Sequence, residues 1–379
     1  MSDVLILGAS ARAAIHSARR AGLTPHAVDL FADRDATAYA TVRQCQLAEY
    51  PYGLERLADT FPPMPWLYTG GLENNPELVD RVAAKRPLWG NSGDQIRSVR
   101  RAGYDSPPST LQLTATVRQP VTMAAHSEDC LPPLAKTTRW VRKSYRSSGG
   151  LGVSWATDLT SRPGTYLQEF VPGRSLSAAV CSGETTDLLG VTEQLVGTSW
   201  LHAGAFQYAG SIGLLPNQPD WADKLASMLD AVASAGNLQR NWGIDFVESG
   251  DELVLIEINP RYTASVEVVE HAGGGAALAG RREWYFRKDV VGKAVYYAPY
   301  ALRFPEVAAI ERAIEVAADP WALPEYADIP AVGSVIDAGR PVLSFFERAV
   351  DVEACREALK RRAAELDALF ARSRVEVSP

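Results

Sequence analysis

The chain has 379 residues, 46% hydrophobic and 22% charged, with a formal net charge of -7 from 38 basic and 45 acidic side chains. That is the profile of an ordinary globular protein with room for two or three domains, and the acidic balance argues against generic polyanion binding, so no nucleic-acid partner is expected. No stretch approaches the roughly 20 apolar residues of a membrane span, and the four scattered cysteines, Cys45, Cys130, Cys181 and Cys355, form no CxxC pair, which fits reduced thiols in a cytoplasmic protein. The five histidines form no HExxH or HxH pattern, so a zinc site is not expected.

The start MSDVLILGAS lacks a basic region before its short apolar run and reads as a first strand, not a signal peptide. Val4 to Leu7 is this strand; it runs into the turn Gly8 to Arg12 and a helix to Arg20 that Ala21-Gly22 stops. Strand-like segments follow at Pro25 to Leu30, Gln44 to Leu47, Trp66 to Thr69 and Pro87 to Trp89, separated by helical stretches. Together they predict a parallel α/β domain over 1–92, whose ligands would gather at the carboxyl ends of the strands, at Gly8 to Arg12, Asp29 to Asp33 and Gly70 to Asn75. A dinucleotide fingerprint would need glycine at Ser10 and Ala13, so NAD binding is a poor match even with Asp29 about 20 residues beyond Gly8. Ser10 and Arg12 with the helix N-terminus would instead hold a small anionic or amino substrate, the bland alternative being a plain strand-to-helix turn.

From 93 to 280 the pattern changes to strands and hairpins, as in an α+β domain, punctuated at Pro107-Pro108, Pro132-Pro133, Ser147 to Gly150 and Gly273 to Gly275. In KSYRSSGGLG, residues 143–152, a flexible glycine loop with Ser148, Gly149 and Gly150 can aim backbone N–H groups at phosphate oxygens, with Lys143 and Arg146 adding positive charge. No Gly-Lys-Ser/Thr follows, so this is not a Walker A loop. The segment Tyr166 to Gly173 can pair its backbone with an adenine ring or be plain strand.

Residues 243–261 place carboxylates on apolar strands. Strict alternation sends Leu253, Leu255, Glu257 and Asn259 to one face and Val254, Ile256 and Ile258 to the other. The Ser249-Gly250-Asp251 turn makes a hairpin, and an even register puts Asp245 opposite Glu257. Opposed like charges on apolar strands destabilise a sheet. A divalent cation resolves the conflict, and two carboxylates with an amide oxygen are the hard ligands by which magnesium is held, the rest of its shell coming from phosphates. A third part, 281–379, begins with strand-like Lys293 to Tyr297 and ends in a helix over about 351–371 with an apolar stripe of Val352, Cys355, Leu359, Leu366, Leu369 and Phe370. Arg139, Arg142 and Lys360 to Arg362 are expected on solvated faces.

Phosphate loop, apolar edge segment and acidic hairpin, in that order, resemble the ATP-grasp superfamily. The resemblance implies an α/β and α+β architecture: a preceding parallel domain at 1–92, a nucleotide clamp at 93–280 and a biotin-carboxylase-type closing domain at 281–379. It implies ATP and magnesium as cofactors, with Lys143 on phosphate under the loop and Gln168, Glu169, Phe170 and Val171 along the adenine, Glu169 and Val171 through their backbone. Asp245, Glu257 and Asn259 would be the magnesium ligands, and Arg261 would steady the transferred phosphoryl group. Two positions depart from the pattern: no acid follows the adenine segment before Glu184 to hold the ribose, and Arg97 or Arg100 are only candidates for a second basic phosphate ligand. The runs IEINPRYTASVEVVE and QLVGTSWLHAGAFQYAGSIG look more narrowly like the carboligases associated with pterin or furan one-carbon cofactor pathways. The implied activity is a ligase joining a small-molecule acid to an amine, or to a thiol, through an acyl phosphate, with release of ADP. The rivals are a non-catalytic ATP sensor and an NAD-dependent dehydrogenase.

Overall fold

The computed structural model describes residues 2–100, 113, 117–124, 138–160, 162–216, 219–279 and 289–375. The N-terminal unit is a four-stranded parallel sheet in the order Thr41–Gln44, Thr24–Asp29, Asp3–Leu7, Trp66–Tyr68, with Leu88 adding a parallel bridge to Trp66. Its strands are short and apolar because both faces are covered. Leu5, Leu7 and Trp66 pack towards Leu54, Leu78 and Val79 on one side, while Val4, Ile6 and Ala27 meet Ala14, Ile15 and Ala18 of the helix Arg12–Arg20 on the other.

The second unit is a nine-stranded sheet whose order runs Tyr326–Ala327, Pro341–Ala349, Val290–Tyr297, Tyr208–Gly213, Thr186–Val196, Arg174–Ser182, Arg240–Ser249, Glu252–Asn259, Val117–Arg118. It is antiparallel except at the last pair. The expected boundary near 280 falls outside the described residues, as do Pro107-Pro108, Pro132-Pro133 and Cys130. The sheet itself continues across it, because the strand from 290 pairs with the strand from 208. A smaller antiparallel sheet, Thr122–Ala124, Thr165–Glu169, Trp140–Ser144 and Val153–Trp155, carries the glycine loop. The C-terminal helix spans Val352–Phe370, capped by the Asp351 carboxylate, which accepts from the Ala354 amide at 2.8 Å. Its Cys355, Leu359, Leu366 and Phe370 are buried against Tyr296, Leu343 and Phe345, as the apolar stripe requires. No described helix is long and apolar enough to cross a membrane, and Cys45, Cys181 and Cys355 are free thiols.

Not every surface expectation holds. Arg142 is buried, donating to Asp158 Oδ1 at 3.0 Å, because its strand faces inward at that position. Arg139 is exposed, as expected, and lies over the Trp155 ring at 3.8 Å.

A buried ionic seam joins the N-terminal unit to the large sheet. The helix Ser265–Gly273 is buried throughout and presents Glu267 and Glu270, three residues apart and therefore on one face, to the helix Arg12–Arg20. Arg12 makes a bidentate pair with Glu267, and Arg20 reaches Glu270 at 2.9 and 2.5 Å. Two buried histidines sit in the seam. His16 donates from Nε2 to the Asp35 carbonyl at 3.1 Å and accepts at Nδ1 from Arg19, a neutral tautomer; burial, then Arg12 and Arg20, lower its pKa to about 3. His271 is shifted in the same direction by burial and Arg20. The unfolded chain therefore takes up protons below about pH 6.5 that the folded chain refuses. Their contribution to stability is complete above that pH and is lost as pH falls towards the folded value. The substitution His16→Gln removes one such proton. Urea unfolding at pH 7.5 and 5.5 is expected to show a stability difference between these two conditions that is smaller by about 1.4 kcal/mol in the variant; an identical difference would mean that His16 is protonated in the folded state.

Candidate active site

Asp245 and Glu257 are direct partners across the hairpin. The turn is two residues long, with Gly250 at a φ of 59°, a conformation suited to a tight hairpin and costly for other residues. Strict alternation does not survive the whole strand, however. The pairing slips between Asp245 and Phe246, so that Glu257 faces Asp245 while Leu255 faces Phe246 and Ile256 is the extra residue. This bulge corrects the expected faces: Leu253, Leu255 and Ile258 pack with Trp242, Ile244 and Phe246, whereas Ile256 joins Val171, Val247 and Val254. A bulge re-aims the side chains beyond it. Here it turns Glu257 and Asn259 away from the Leu255 face and towards the cleft.

The charges around this pair are organised by the N-terminal unit. Asp245 accepts from Gln194 Nε2 at 2.8 Å and Asn259 Nδ2 at 2.9 Å, two neutral donors; burial and the Glu257 charge push its pKa up to about 6. Glu257 accepts from Arg100 at 3.1 Å. Arg261 donates to Asn259 Oδ1 at 3.1 Å and stands 2.8 Å from Glu73 Oε1. Glu73 is fully buried; burial favours its neutral form, but Arg261 and Arg100 outweigh that and hold its carboxyl below the ordinary range. Of the two candidate phosphate arginines, Arg100 reaches this cluster, while Arg97 is engaged by Asp80 and Asp94 at 2.9 Å. Glu73 and Gln194 complete the cluster with Arg100, and sequence reasoning assigned those two no role. Only the position of Glu73, just past a strand end, hinted at it.

The glycine loop lies over the cluster. Gly149, Gly150 and Gly152 all have positive φ, and a Cβ on Gly150 would sit 1.8 Å from the Phe206 carbonyl oxygen, so only glycine fits there. The Tyr208 amide donates to the Gly149 carbonyl at 3.0 Å, and Asn74 donates to the Ser147 carbonyl at 3.3 Å. Lys143 Nζ, beneath the loop, donates to Gln168 Oε1 at 3.0 Å. The amides of Glu169 and Phe170 donate to the Val121 and Arg139 carbonyls, and the Glu169 carboxylate accepts from Arg118 at 2.9 and 3.2 Å. Neither amide is available to a base, so a backbone contact in this segment falls to the Glu169 carbonyl and Val171. Ser175 lines the cleft just past it, where an acid is missing.

These groups line one cleft of about 1450 Å³ whose walls include Val141, Phe170, Asp245, Ser10, Asp33 and Lys293. Such a volume exceeds the usual 300–1,000 Å³ of a single small-ligand site. Ser10 lies on its wall, as expected. Arg12 does not: its guanidinium is 1% exposed behind the wall, held by Glu267 and, at 2.9 and 3.0 Å, by Asp328. A cation so fully paired on the seam has no free donor for a substrate, which corrects the expectation. Asp29 is not a ribose ligand either, since its oxygens accept from the Ala11, Phe31 and Ala32 amides.

Residues 109–265 match the family model of the ATP-grasp domain. That segment carries the ATP-grasp domain match. The fold of the chain is similar to N5-carboxyaminoimidazole synthetase from Staphylococcus aureus complexed with ADP, at 12% identity over 96% of this chain and 97% of that one, with a TM-score of 0.65. It is also similar to L-amino acid ligase from Bacillus licheniformis (13% identity, 96% and 97% covered, TM-score 0.64) and to a biotin carboxylase–ATP complex from Campylobacter jejuni (12%, 94% and 89%, TM-score 0.63). The sequence matches no curated protein.

For an ATP-grasp site the residues present suit magnesium. A desolvated carboxylate opposite a second one, hydrogen-bonded by neutral donors and with no cation bonded to it directly among the described residues, is a site whose charge favours a bound cation. Phosphate oxygens would complete the shell of a hard cation held by so few protein groups.

Proposed function

We propose that this protein is an ATP-dependent ligase that phosphorylates a substrate carboxylate and joins the acyl group to an amine, releasing ADP and phosphate. The observation that carries the reading is that Asp245, Glu257 and Arg261 line one cleft together with the glycine loop and Ser10, the loop itself touching the N-terminal unit at Asn74. ATP would lie under residues 147–152 with its base against Glu169 to Val171, and the second substrate would occupy the part lined by Ser10. The similar structures, a carboxyaminoimidazole synthetase, an amino acid ligase and a biotin carboxylase, support this class of chemistry.

Bringing a γ-phosphate to a carboxylate sets like charges against each other, and magnesium held by Asp245, Glu257 and Asn259 would supply charge neutralisation there. The protein's own contribution is positioning. Arg261, fixed by Glu73 and Asn259, presents a planar guanidinium beside the hairpin, and Lys143 presents a point charge from the opposite wall. The docked glycine loop keeps water from an intermediate that hydrolyses. The narrower assignment to one-carbon cofactor pathways belongs to this proposal and is supported by the 194–213 and 256–270 runs alone.

The phosphate role of Lys143 has a direct check. Lys143→Ala is expected to weaken ATP binding by about 1.5 to 3 kcal/mol, the range for a hydrogen bond to a charged group. Equal affinities in calorimetric titrations would place the phosphates elsewhere. The ligase reading as a whole is tested by ADP release against a panel of acid and amine pairs, and release that no pair stimulates would leave the sensor reading.

A further inference from the structure

The part of the cleft lined by Ser10 and Asp33 carries more negative charge than the protein itself balances. The loop 29–35 of the N-terminal unit meets the segment Tyr326–Ile329 there: the Arg34 amide donates to the Ile329 carbonyl, and the Asp328 and Ile329 amides donate to the Asp35 carboxylate at 3.0 and 2.9 Å. Five carboxylates gather at this junction, Asp29, Asp33, Asp35, Glu267 and Asp328, against two cations, Arg12 and Lys293. Four of the five are accounted for. Asp29 takes three backbone amides, Asp35 takes two, Glu267 takes Arg12 and Lys293, and Asp328 takes Arg12 with Lys293 at 3.4 Å.

Asp33 is the exception. It is only 6% exposed, it lines the cleft, and among the described residues its carboxylate has no hydrogen bond or ion pair. A buried carboxylate without a donor is a costly group to keep. Beside it in the cleft wall are the half-exposed ring of Phe31 and the outer side of Asp328. An acid facing open volume next to an aromatic face is the arrangement that attracts an organic cation.

We propose that Asp33, with Phe31 and Asp328, forms a subsite for the protonated amine of the second substrate. This deepens the ligase reading, on which it rests, by naming the chemistry in one part of the cleft. Asp33 supplies the hydrogen-bond acceptor, Phe31 the aromatic face, and Asp328, already neutralised by Arg12 and Lys293, a rigid second wall.

The test is equilibrium binding to the whole protein saturated with a non-hydrolysable ATP analogue. The probes are glycine, β-alanine, L-lysine, L-glutamate and tyramine, each beside its N-acetyl derivative. At least one free amine is expected to bind, its acetylated form more than about tenfold more weakly. Asp33→Asn is expected to lose the same factor while binding the nucleotide analogue within about twofold and melting at or above the wild-type temperature, because the substitution relieves repulsion. Equal binding of free and acetylated probes, unchanged affinity in Asp33→Asn, or no binding by any free amine would overturn the subsite. Failure of the ligase reading looks different: the amine would bind through Asp33, yet ADP would not be released with any acid present.

Discussion

Glu257→Gln is expected to lower ATP turnover by about 10²- to 10³-fold, the largest single effect foreseen for this protein. The substitution preserves shape but removes one of two opposed carboxylates, and with it much of the attraction for a divalent cation. Its effect on the metal-free fold should be small, because two changes offset: the pair with Arg100 at 3.1 Å is weakened, while the repulsion against Asp245 is relieved. Thermal melts with and without magnesium and a nucleotide analogue separate these contributions. Wild-type protein should be stabilised by the metal complex and the variant should not. A variant that turns over ATP normally, or that gains stability from magnesium as the wild type does, removes Glu257 from the metal site.

Arg261 carries the second large expectation, and the structure changes how it must be tested. Truncation to alanine strands the buried Glu73 carboxylate, and breaking a buried ion pair costs about 3 to 5 kcal/mol. Lost activity in Arg261→Ala would therefore be ambiguous. Arg261→Lys keeps a cation near Glu73 but lacks the planar fork, so it should hold ATP within about threefold of wild type and lose about 10²-fold in kcat. The double variant Arg261→Ala with Glu73→Gln should recover stability and stay inactive. Activity restored together with stability would make Arg261 a structural residue, and equal losses of ATP affinity and kcat would make it a binding one.

What the sequence revealed followed the range over which each residue acts. The hairpin carrying Asp245 and Glu257 was legible from its glycine turn, but that turn alone would set Asp245 against Ile256, and the bulge is what brings Glu257 opposite Asp245. Lys143 and the loop glycines were legible as a local cluster. The bulge at Ile256 was not, since nothing in the apolar run Leu253 to Ile256 distinguishes the residue that slips; the face pattern was therefore right up to Ile256 and inverted from Glu257 onward. Arg12 was misassigned because its position, at a helix start after a strand, suits an anion, while the acids that claim it lie more than 250 residues away. Glu73 was silent for the same reason, and Arg100 could not be told from Arg97: the partners that set their meaning, Arg261 and Glu257, lie on another unit.

The central claim is that a carboxylate is activated as an acyl phosphate in this cleft, and trapping tests it most directly. The protein is incubated with ATP, magnesium, a panel of carboxylic acids and hydroxylamine, with no amine substrate. The account predicts a hydroxamate of one acid formed in step with ADP, absent without ATP and lost in Glu257→Gln. Formation of AMP and pyrophosphate would contradict it by showing adenylation, and ADP release from every acid without hydroxamate would contradict it by showing that the phosphoryl group goes elsewhere.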